Sequence, residues 1–383
     1  MIKKFILLAF SIILLACKGS GVINKAGVED VLSTTKPYGW VDVKNTKTQI
    51  PLSVKPLIDI WLRDTYITLG PDGYYYMTGT SALKGRTTAR DINSGIPLWR
   101  SLDLKNWEDL GYVWTFEKDG TWQKEFDIIT HGSKEDLNQN IIGKKRRTLW
   151  APEIHYIQSQ KNYFIVACIP ENPNGKGSFI LKSTSGKPEG PYINIEGNSS
   201  GPIFPRIDGS LFEDQDGTVY FVGHNHEIAK MKGDMSGFAE PLRKIKEKEY
   251  NSEPYIEGAF IVKEAGKYFL MQAIWSIRQP DGSFSYDGKN PYKNKQEREA
   301  NLYSYDVVIA SADNIYGPYS KRYTVVTGGG HNNFFKDKDG KWWSPMFGNP
   351  RGDLMERPFL TRAAIVPIKF ENGKFTVDKK RKL

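Results

Sequence analysis

Cysteine is almost absent from this sequence, which has 2 cysteines among 383 residues, Cys17 and Cys168. Two cysteines exclude a disulfide framework and a metal site built from several thiolates. Cys168 lies in the apolar stretch YFIVACI, where a thiol behaves as a small hydrophobic group. We therefore predict that Cys168 is a buried core thiol.

The sequence also lacks a long hydrophobic run. The apolar stretch 5–16 follows two lysines and is shorter than the roughly 20 residues that a membrane-spanning helix needs. It is typical of a secretory signal. Its end, Leu-Leu-Ala-Cys, resembles a bacterial lipobox, which predicts a lipid on Cys17, and Lys18 then favours the outer membrane. An ordinary signal peptide with an incidental cysteine is the alternative, and the membrane face is left open.

Charge of one sign does not dominate, since 53 basic residues against 44 acidic ones give a net charge of +9. The basic residues are scattered apart from one cluster at 144–147. We expect no nucleic-acid partner for an exported lipoprotein. An anionic polysaccharide is one possible partner for this charge, and a solvated basic surface is the simpler interpretation.

Strong helix signals are missing as well, and one hairpin pattern recurs instead. Each copy has an apolar strand, a corner with Gly or Asn that supplies positive φ, and a second strand with aromatic or apolar residues. The copies begin at Asp64, Glu153, Asp208, Glu257 and His331, and their corners are expected at Gly73, Asn162, Gly217, Gly266 and Gly340.

A second recurring element lies between the hairpins and reads as a third strand, a polar turn and the start of a fourth strand. Four strands in each of five units predict an all-β fold, a five-bladed β-propeller with four antiparallel strands per blade. A sandwich or jelly roll is the alternative, but neither requires the same offset five times. The second elements are at 98–111, 180–192, 228–242 and 308–319.

The expected organisation has three parts: a signal peptide over 1–16, an arm over 17–50 after Cys17, and a single propeller domain over 51–383. The polar inserts 115–148 and 277–304 are interpreted as loops over one face. A final hairpin, RAAIVPIKFENGKFTVDK, is predicted to close the ring with the N-terminal region.

The first residues of the five hairpins are expected to form a ring around the propeller axis. The ring has four carboxylates and an imidazole, and such a cluster destabilises a fold unless its members are hydrogen-bonded or bind a metal. It therefore indicates function rather than solvated surface. Glycoside hydrolysis, which needs one proton donor and one base, is one use. Binding of calcium or another hard cation is the other.

With this ring, the sequence resembles glycoside hydrolase family 43 over roughly residues 58–370. The resemblance rests on Asp64, Asp208 and the pair Glu257-Gly258 in this order, and on LWAPEIHY (149–156), SGKPEGPY (185–192) and GGGHNNFF (328–335). It implies a five-bladed propeller that inverts the anomeric configuration. The related anhydro-galactosidase family 117 is a rival subgroup.

The resemblance also implies a role for each matching residue. Asp64 would be the general base that deprotonates water, Glu257 the general acid, and Asp208 the residue that sets the pKa of Glu257 and orients it. In inverting enzymes, base and acid stand roughly 6.5–9.5 Å apart. His331 matches an axial histidine near which the family often holds calcium, through water or directly, although no cofactor is expected to be required.

Several further residues are candidates for substrate binding or for packing. Trp150 is expected to form an aromatic wall, with core packing as the alternative. Glu153, Arg357 and Arg362 are substrate-binding candidates, and for each arginine a structural ion pair is equally plausible. A structural role is favoured for His224 and His226, because no third metal ligand lies nearby, and packing for Trp99, Trp107 and Trp114.

Two departures from the family pattern weaken the transfer of substrate. Thr65 follows the predicted base where Pro is common, and Ala259 stands where many members have Pro after Gly258. The leading hypothesis is an exo-acting inverting glycosidase that trims plant or algal oligosaccharides, similar to arabinofuranosidases, xylosidases or galactosidases. The alternatives are a non-catalytic glycan-binding lipoprotein and a metal-dependent propeller phosphodiesterase or lactonase.

Overall fold

A computed structural model describes most of the chain from residue 54 to residue 383. The predicted signal peptide, the arm and Cys17 lie outside the described residues. The described residues are 54–81, 93–125, 128–129, 145–146, 148–169, 177–224, 226–246, 256–278, 284–285, 297, 302–347 and 362–383.

The secondary structure of these residues consists of strands and short 3-10 helices. In the part of the chain that the structure describes, no helix has the length and apolarity to cross a membrane. The 3-10 helices are Trp122–Glu125, Gln158–Gln160 and Glu196–Asn198. The strands are β1 (Pro56–Leu69), β2 (Tyr75–Ser81), β3 (Gly95–Ser101), β4 (Glu108–Thr115), β5 (Ile128–Ile129), β6 (Lys145–Arg146), β7 (Trp150–Ile157), β8 (Asn162–Ile169), β9 (Gly177–Ser183), β10 (Tyr192–Asn194), β11 (Gly209–Glu213), β12 (Val219–Gly223), β13 (Glu227–Lys230), β14 (Arg243–Lys244), β15 (Ile256–Glu264), β16 (Lys267–Arg278), β17 (Phe284–Ser285), β18 (Leu302–Ala312), β19 (Tyr323–Val326), β20 (Phe335–Lys336), β21 (Trp342–Phe347), β22 (Arg362–Glu371) and β23 (Lys374–Val377).

The strands form antiparallel sheets in which neighbours in sequence are neighbours in space. One sheet has the order β10-β9-β8-β7 and a second the order β11-β12-β13-β14. A third has the order β15-β16-β18-β19, with β17 beside β16. The largest has the order β20-β21-β22-β1-β2-β3-β4, with β23 beside β22, and β5 pairs with β6 alone. The prediction of an all-β fold built from four-stranded antiparallel units is confirmed.

Strand β1 joins two of these four-stranded units. Trp61 in its first half lies opposite Arg362 of β22, whereas Leu62 lies opposite Ser81 of β2. The register then shifts between Arg63 and Tyr66. The final hairpin therefore meets the N-terminal part of the domain, as predicted.

The hairpin corners lie where the repeat predicts them, with one shift. In the second hairpin the left-handed residue is Lys161, with φ 47°, and Asn162 is already the first residue of β8. The prediction for Asn162 was wrong by one residue, because a 3-10 helix ends at Gln160 and the residue after it, Lys161, is its left-handed C-cap. The other four corners have φ between 75° and 81°: Gly73, Gly217, Gly266 and Gly340.

Aromatic side chains fill the space between neighbouring sheets. The ring of Phe375 on β23 lies 4.8–5.4 Å, between centroids, from the rings of Phe269, Phe334, Trp342 and Phe370. Burial of each apolar side chain of this size stabilises the fold by about 1.5–3 kcal/mol. The closing hairpin is therefore fastened by side-chain packing as well as by strand pairing.

The residues predicted to pack do so. Trp99 and Trp114 are buried, and Trp107 is half-buried and donates its indole N–H to the carbonyl oxygen of Leu104 at 3.1 Å. Cys168 is buried and free, and burial raises the pKa of its thiol well above the ordinary value. The prediction of a buried core thiol is confirmed.

The two polar inserts contain more strand than predicted. In the first insert, β5 and β6 pair with each other. The second insert is narrower than 277–304, because β16 continues to Arg278 and β18 begins at Leu302, and Ile277 lies opposite Leu302. The expectation that residues 277–304 form a loop was wrong at both ends of this range, because the pairing of β16 with β18 continues into it.

Candidate active site

The backbone is irregular around the predicted ring residues. These residues lie in the middle of β1 (Asp64), early in β7 and β15 (Glu153 and Glu257), and before β11 and β20 (Asp208 and His331). Asp64 and Asp208 adopt the left-handed conformation, with φ 51° and 61°. For a residue with a side chain this conformation costs about 1–3 kcal/mol and is typical of functional sites. The register of β15 shifts between Glu257 and Phe260, in the manner of a bulge that turns a side chain away from the normal alternation.

The left-handed residue does not occupy the same sequence offset in every hairpin. It is the first residue in the first and third hairpins, but Ala151, Gly258 and Gly330 take this conformation in the others. Glu153 thus follows the left-handed residue of its hairpin by two positions, and His331 follows that of its own hairpin by one. Equal sequence spacing therefore does not give the ring members equal orientations.

Asp64 is held at one carboxylate oxygen, Oδ2. The Thr80 hydroxyl donates to Oδ2 at 2.6 Å, and the Arg63 guanidinium lies 2.9 Å from the same oxygen. Thr80 Oγ1 itself accepts a hydrogen bond from the backbone N–H of Ala151 at 2.7 Å. Within the described part of the chain, Oδ1 of Asp64 has no hydrogen-bond partner, so it is the oxygen available to a water molecule.

Asp208 lies against the backbone that carries Glu257. The N–H of Gly258 donates to Oδ2 of Asp208 at 3.2 Å. A second link runs through the main chain of His224, whose N–H donates to the Asp208 carbonyl at 2.9 Å and whose carbonyl accepts from Ala259 at 3.1 Å. This gives His224 the structural role favoured from the sequence.

The carboxyl groups influence one another electrostatically. Burial raises the pKa of Glu257, whereas the hydrogen bond from Tyr305 and the charge of His331 oppose the shift. Burial also raises the pKa of Asp208 to about 7, with the charges of Glu257 and Asp64 adding to the shift and His331 opposing it. The structure therefore brings Asp64, Asp208 and Glu257 into one buried polar site.

His331 supplies positive charge to this site. Burial alone would lower its pKa, but the charge of Asp208 and the neighbouring Glu153 raise the pKa of His331 to about 10. Its ring nitrogens lie 3.9 Å from Asp208 Oδ1 and 3.8 Å from Glu153 Oε1, too far for hydrogen bonds, so the attraction is between charges. A Cβ at Gly258 would lie 2.7 Å from the imidazole, so the ring packs on a glycine.

Glu153 is a support beneath the site. Its Oε2 accepts hydrogen bonds from the Ser210 hydroxyl at 2.5 Å and from His155 Nε2 at 2.9 Å, and the Tyr66 hydroxyl lies 3.0 Å from the other ring nitrogen of His155. Burial would raise the pKa of Glu153, but the two histidines hold it below the ordinary value. These neighbours leave the Glu153 side chain only 4% exposed, and its contact with substrate stays a prediction.

The other substrate-binding candidates have different environments. Arg362 is buried and its Nε lies 3.1 Å from Asp59 Oδ1, which is the ion pair given above as its alternative. Arg357 lies outside the described residues. Trp150 is partly exposed, and the Arg63 guanidinium lies 4.9 Å from the centre of its ring. That Trp150 forms an aromatic wall for a sugar ring, and that Arg357 and Arg362 contact the sugar, stay predictions.

The donor set around His331 does not fit direct metal binding. A protonated imidazole has no free lone pair for a metal, and its raised pKa keeps this ring protonated between its two carboxylates. Among the described residues, no group of three or more His, Cys, Asp or Glu side chains can hold a metal ion. His226, the other histidine of the HxH pair considered in the sequence, is in a different environment. Burial and the charges of Arg322 and Lys244 lower the pKa of its imidazole to about 4.

Sequence reasoning missed three residues of the site: Arg63, Thr80 and Tyr305. Arg63 is adjacent to Asp64 in the chain, and Thr80 lies directly opposite Arg63 on β2, so pairing of the first hairpin would have found both. Tyr305 has no such signal. It reaches Glu257 only because β18 pairs with β16 across a long insert.

Comparisons with known proteins agree on one family. Residues 54–375 match the model described as glycosyl hydrolases family 43. The chain is 29% identical over 237 residues to a β-D-galactofuranosidase of Aspergillus niger, covering 56% of this chain and 58% of that protein. It is 21% identical over 362 residues to a β-xylosidase of Formosa agariphila, covering 86% and 51%. The chain thus spans little more than half the length of these relatives.

Solved structures of similar fold are also known. An endo-arabinase from Bacteroides thetaiotaomicron superimposes with a TM-score of 0.57 at 19% identity, covering 84% of this chain and 98% of that one. An endo-1,4-β-xylanase from the same organism gives a TM-score of 0.54 at 23% identity, covering 85% and 97%. At these identities the similarity establishes the fold.

Proposed function

The chain belongs to glycosyl hydrolases family 43, and on this premise we propose that it is an inverting, exo-acting glycoside hydrolase. The observation that carries the proposal is the buried site in which Asp64, Asp208 and Glu257 lie together. One acid of the site, Glu257, has a raised pKa and so can hold a proton for the leaving group. Another, Asp64, presents a free oxygen to water.

The reaction follows from these two groups. Oδ1 of Asp64 takes a proton from a water molecule, whose oxygen attacks the anomeric carbon on the face opposite the leaving group. Glu257 gives its proton to the glycosidic oxygen as the bond from that oxygen to the anomeric carbon breaks. The product has the inverted configuration, and Asp64 ends protonated while Glu257 ends ionised. Exchange with solvent restores both groups.

Asp208 and His331 adjust the charge around this proton transfer. The negative charge of Glu257 raises the pKa of Asp208. Because repulsion between two carboxylates is mutual, ionisation of Asp208 near pH 7 opposes loss of the proton from Glu257. His331 offsets part of the accumulated negative charge. We propose that this charge of His331 takes the place of a metal beside the carboxylates and that activity survives removal of divalent cations.

The sheets support a five-bladed propeller as the scaffold. Five groups of four strands are available: β1 contributes its first half to the group of β20–β22 and its second half to the group of β2–β4, and three further sheets supply the rest. Such a ring would direct the first strand of every blade toward a shared axis. Exo action is proposed from the sequence prediction that the inserts 115–148 and 277–304 lie over one face of the ring, and most of both inserts lies outside the described residues.

The substrate proposal combines the names of the relatives with the chemistry of the site. One relative is a β-D-galactofuranosidase and another a β-xylosidase. We propose that the substrate is an oligosaccharide from plant or algal polysaccharide that ends in an arabinofuranosyl, xylosyl or galactosyl residue.

The test is hydrolysis of the 4-nitrophenyl α-L-arabinofuranoside, β-D-xyloside, β-D-galactofuranoside and β-D-galactopyranoside, each with and without EDTA. Wild type should release nitrophenol from at least one of them. Asp64→Asn and Glu257→Gln should each lower kcat by about 100-fold or more, because each removes one of the two proton-transfer groups. Proton NMR of the first-formed sugar should show the inverted anomer.

Matched variants separate chemistry from folding. Glu264→Gln changes a glutamate at the far end of the same strand as Glu257, where it pairs with Lys336, and Asp214→Asn changes an aspartate paired with Lys263. Both should keep activity. Glycan binding without hydrolysis, unchanged by the substitutions at Asp64 and Glu257, would instead identify a binding protein. Complete loss of activity in EDTA would favour a metal-dependent hydrolase.

A further inference from the structure

Tyr305 is a buried side chain whose only polar atom points at the predicted general acid. It lies on β18, and its hydroxyl donates to Oε1 of Glu257 at 2.7 Å. Burial and the charge of Glu257 raise the pKa of Tyr305 well above the ordinary value, so this hydroxyl keeps its proton at any working pH. A buried phenol that stays protonated needs an acceptor, and Glu257 is the one that it has.

The ring of Tyr305 is held by an aromatic neighbour, a small apolar cluster and a bond to its backbone. Trp275 lies opposite it on β16 and stacks on it, with ring centroids 5.0 Å apart and an interplanar angle of 18°. Ala273 and Phe347 pack with the same ring. The backbone carbonyl of Tyr305 accepts a hydrogen bond from Gly330, the neighbour of His331, at 2.9 Å. The hydroxyl is therefore presented to Glu257 in one position.

We propose that Tyr305 is a positioning residue for Glu257, which holds Oε1 so that the proton for the leaving group is carried on Oε2. A carboxylic acid has one oxygen that bears the proton and one that only accepts hydrogen bonds. Because the Tyr305 hydroxyl donates to Oε1, that oxygen takes the accepting role. The proposal rests on the proposed function, since it assigns the oxygen that acts within that mechanism.

The same hydrogen bond changes the strength of the acid. A donor bound to a carboxyl group stabilises its ionised form more than its neutral form and so lowers its pKa. Burial raises the pKa of Glu257, and Tyr305 opposes that rise. Without the hydroxyl, only the charges of His331 and Arg63 oppose the effect of burial, and the pKa of Glu257 moves further upward. The hydrogen bond also stabilises the carboxylate that forms as the proton leaves, so it strengthens during the reaction.

Tyr305→Phe tests the proposal because it removes the oxygen and keeps the ring that stacks on Trp275. The alkaline limb of kcat/KM, which reports Glu257, should move upward by about one pH unit. With a substrate whose leaving group is a sugar, kcat should fall about tenfold or more. With a 2,4-dinitrophenyl glycoside, whose leaving group departs without a proton, kcat should change by less than about threefold.

The control is Tyr268→Phe. Tyr268 lies on the neighbouring strand β16 and donates its hydroxyl to Asp214 at 2.5 Å, so the variant loses the same kind of bond away from the site. It should keep the wild-type pH profile and the wild-type dependence on leaving group. Melting temperatures of both variants then show whether either substitution acts through stability.

The outcomes are distinct for the two proposals. A folded Tyr305→Phe enzyme with the wild-type alkaline limb and leaving-group dependence overturns the role of Tyr305 and leaves the glycosidase proposal standing. If wild type hydrolyses nothing in the panel, the glycosidase proposal fails. The bond to Tyr305 is then judged by carbon-13 NMR of the Glu257 carboxyl, assigned with Glu257→Gln. A higher pKa in Tyr305→Phe supports the bond, and an unchanged pKa overturns it.

Discussion

Single residues of the site differ by their surroundings more than by their chemistry. Asp64 has two donors at one oxygen, Thr80 and Arg63. Glu257 is half-buried with one described donor, Tyr305, and Asp208 accepts from a backbone N–H. The three carboxyl groups therefore differ in their hydrogen bonds and burial, because different strands surround each of them.

The pH dependence of Asp208→Asn follows from its charge. Burial and the charge of Glu257 raise the pKa of Asp208 to about 7, so above that pH the wild-type carboxylate is ionised. Two like charges oppose each other's ionisation, so the neutral amide of Asp208→Asn should let the pKa of Glu257 fall. The alkaline limb of kcat/KM should therefore move to lower pH by about one unit, opposite to the shift expected for Tyr305→Phe. The measurement is kcat/KM between pH 4 and pH 9 on the best aryl glycoside.

Asp214→Asn is the control for this substitution, since Asp214 lies away from the site and pairs with Lys263. It should keep the wild-type profile. An alkaline limb in Asp208→Asn that stays in place, or moves to higher pH, would contradict the role of Asp208 as the residue that raises the pKa of Glu257.

At the scale of the elements, one edge of β1 is hydrogen-bonded at Ile67 by a side chain, that of Asn333, and not by a neighbouring strand. The backbone N–H of Ile67 donates to Asn333 Oδ1 at 3.1 Å, and Asn333 Nδ2 donates to the Ile67 carbonyl at 2.8 Å. On its other edge, Ile67 pairs with Met77 of β2. The buried side-chain amide of Asn333 therefore makes the two hydrogen bonds to Ile67 that a neighbouring strand would make, and it links β1 to the loop before β20.

Asn333→Ala should lower the free energy of unfolding by about 2 kcal/mol or more. Each buried backbone group that loses its partner costs about 1–3 kcal/mol, and Ile67 would lose a partner for both of its groups. Urea denaturation measures the change. Asn106→Ala, which removes an exposed amide bonded to Asp103, should cost well under about 1 kcal/mol. Equal midpoints for the two variants would show that the Asn333 bridge contributes little.

At the scale of the whole molecule, the site depends on how the sheets are joined. Glu153, Ser210 and Tyr66 lie on three different strands, β7, β11 and β1, and they meet beneath His331. The joint of β1 with β22 connects the last strands of the chain to the first ones. Loss of the pairing between β1 and β22 should therefore disturb the site as well as the fold.

Two truncated chains test the joint. A chain that starts at residue 54 keeps the first half of β1, whereas a chain that starts at residue 62 loses the pairing with β22 and the buried indole of Trp61. The shorter chain should be less stable by about 3 kcal/mol or more, since loss of a buried Trp side chain alone costs about 3–5 kcal/mol. Chemical denaturation compares them, and equal stability would show that β22 does not need this partner.

The sequence by itself determined the local features of this protein. Alternating apolar residues and glycine corners repeat at one spacing, and this repetition was enough to predict the hairpins and the all-β class. The family came from a resemblance carried by the three acids and the motifs around them. Asp64, Asp208 and Glu257 were also found from their places in the repeat. These features are readable because they depend on contacts between residues close in the chain, where backbone geometry and turn chemistry act directly.

Only the tertiary structure decided which group acts on which. It placed the carboxylate of Glu153 against Ser210 and His155, because left-handed residues at different offsets turn equivalent residues in different directions. It also brought Tyr305 to Glu257 and Thr80 to Asp64. Hydrogen bonds, burial and charge act through space, so the pKa of an acid in this site depends on side chains from strands that are far apart in the sequence.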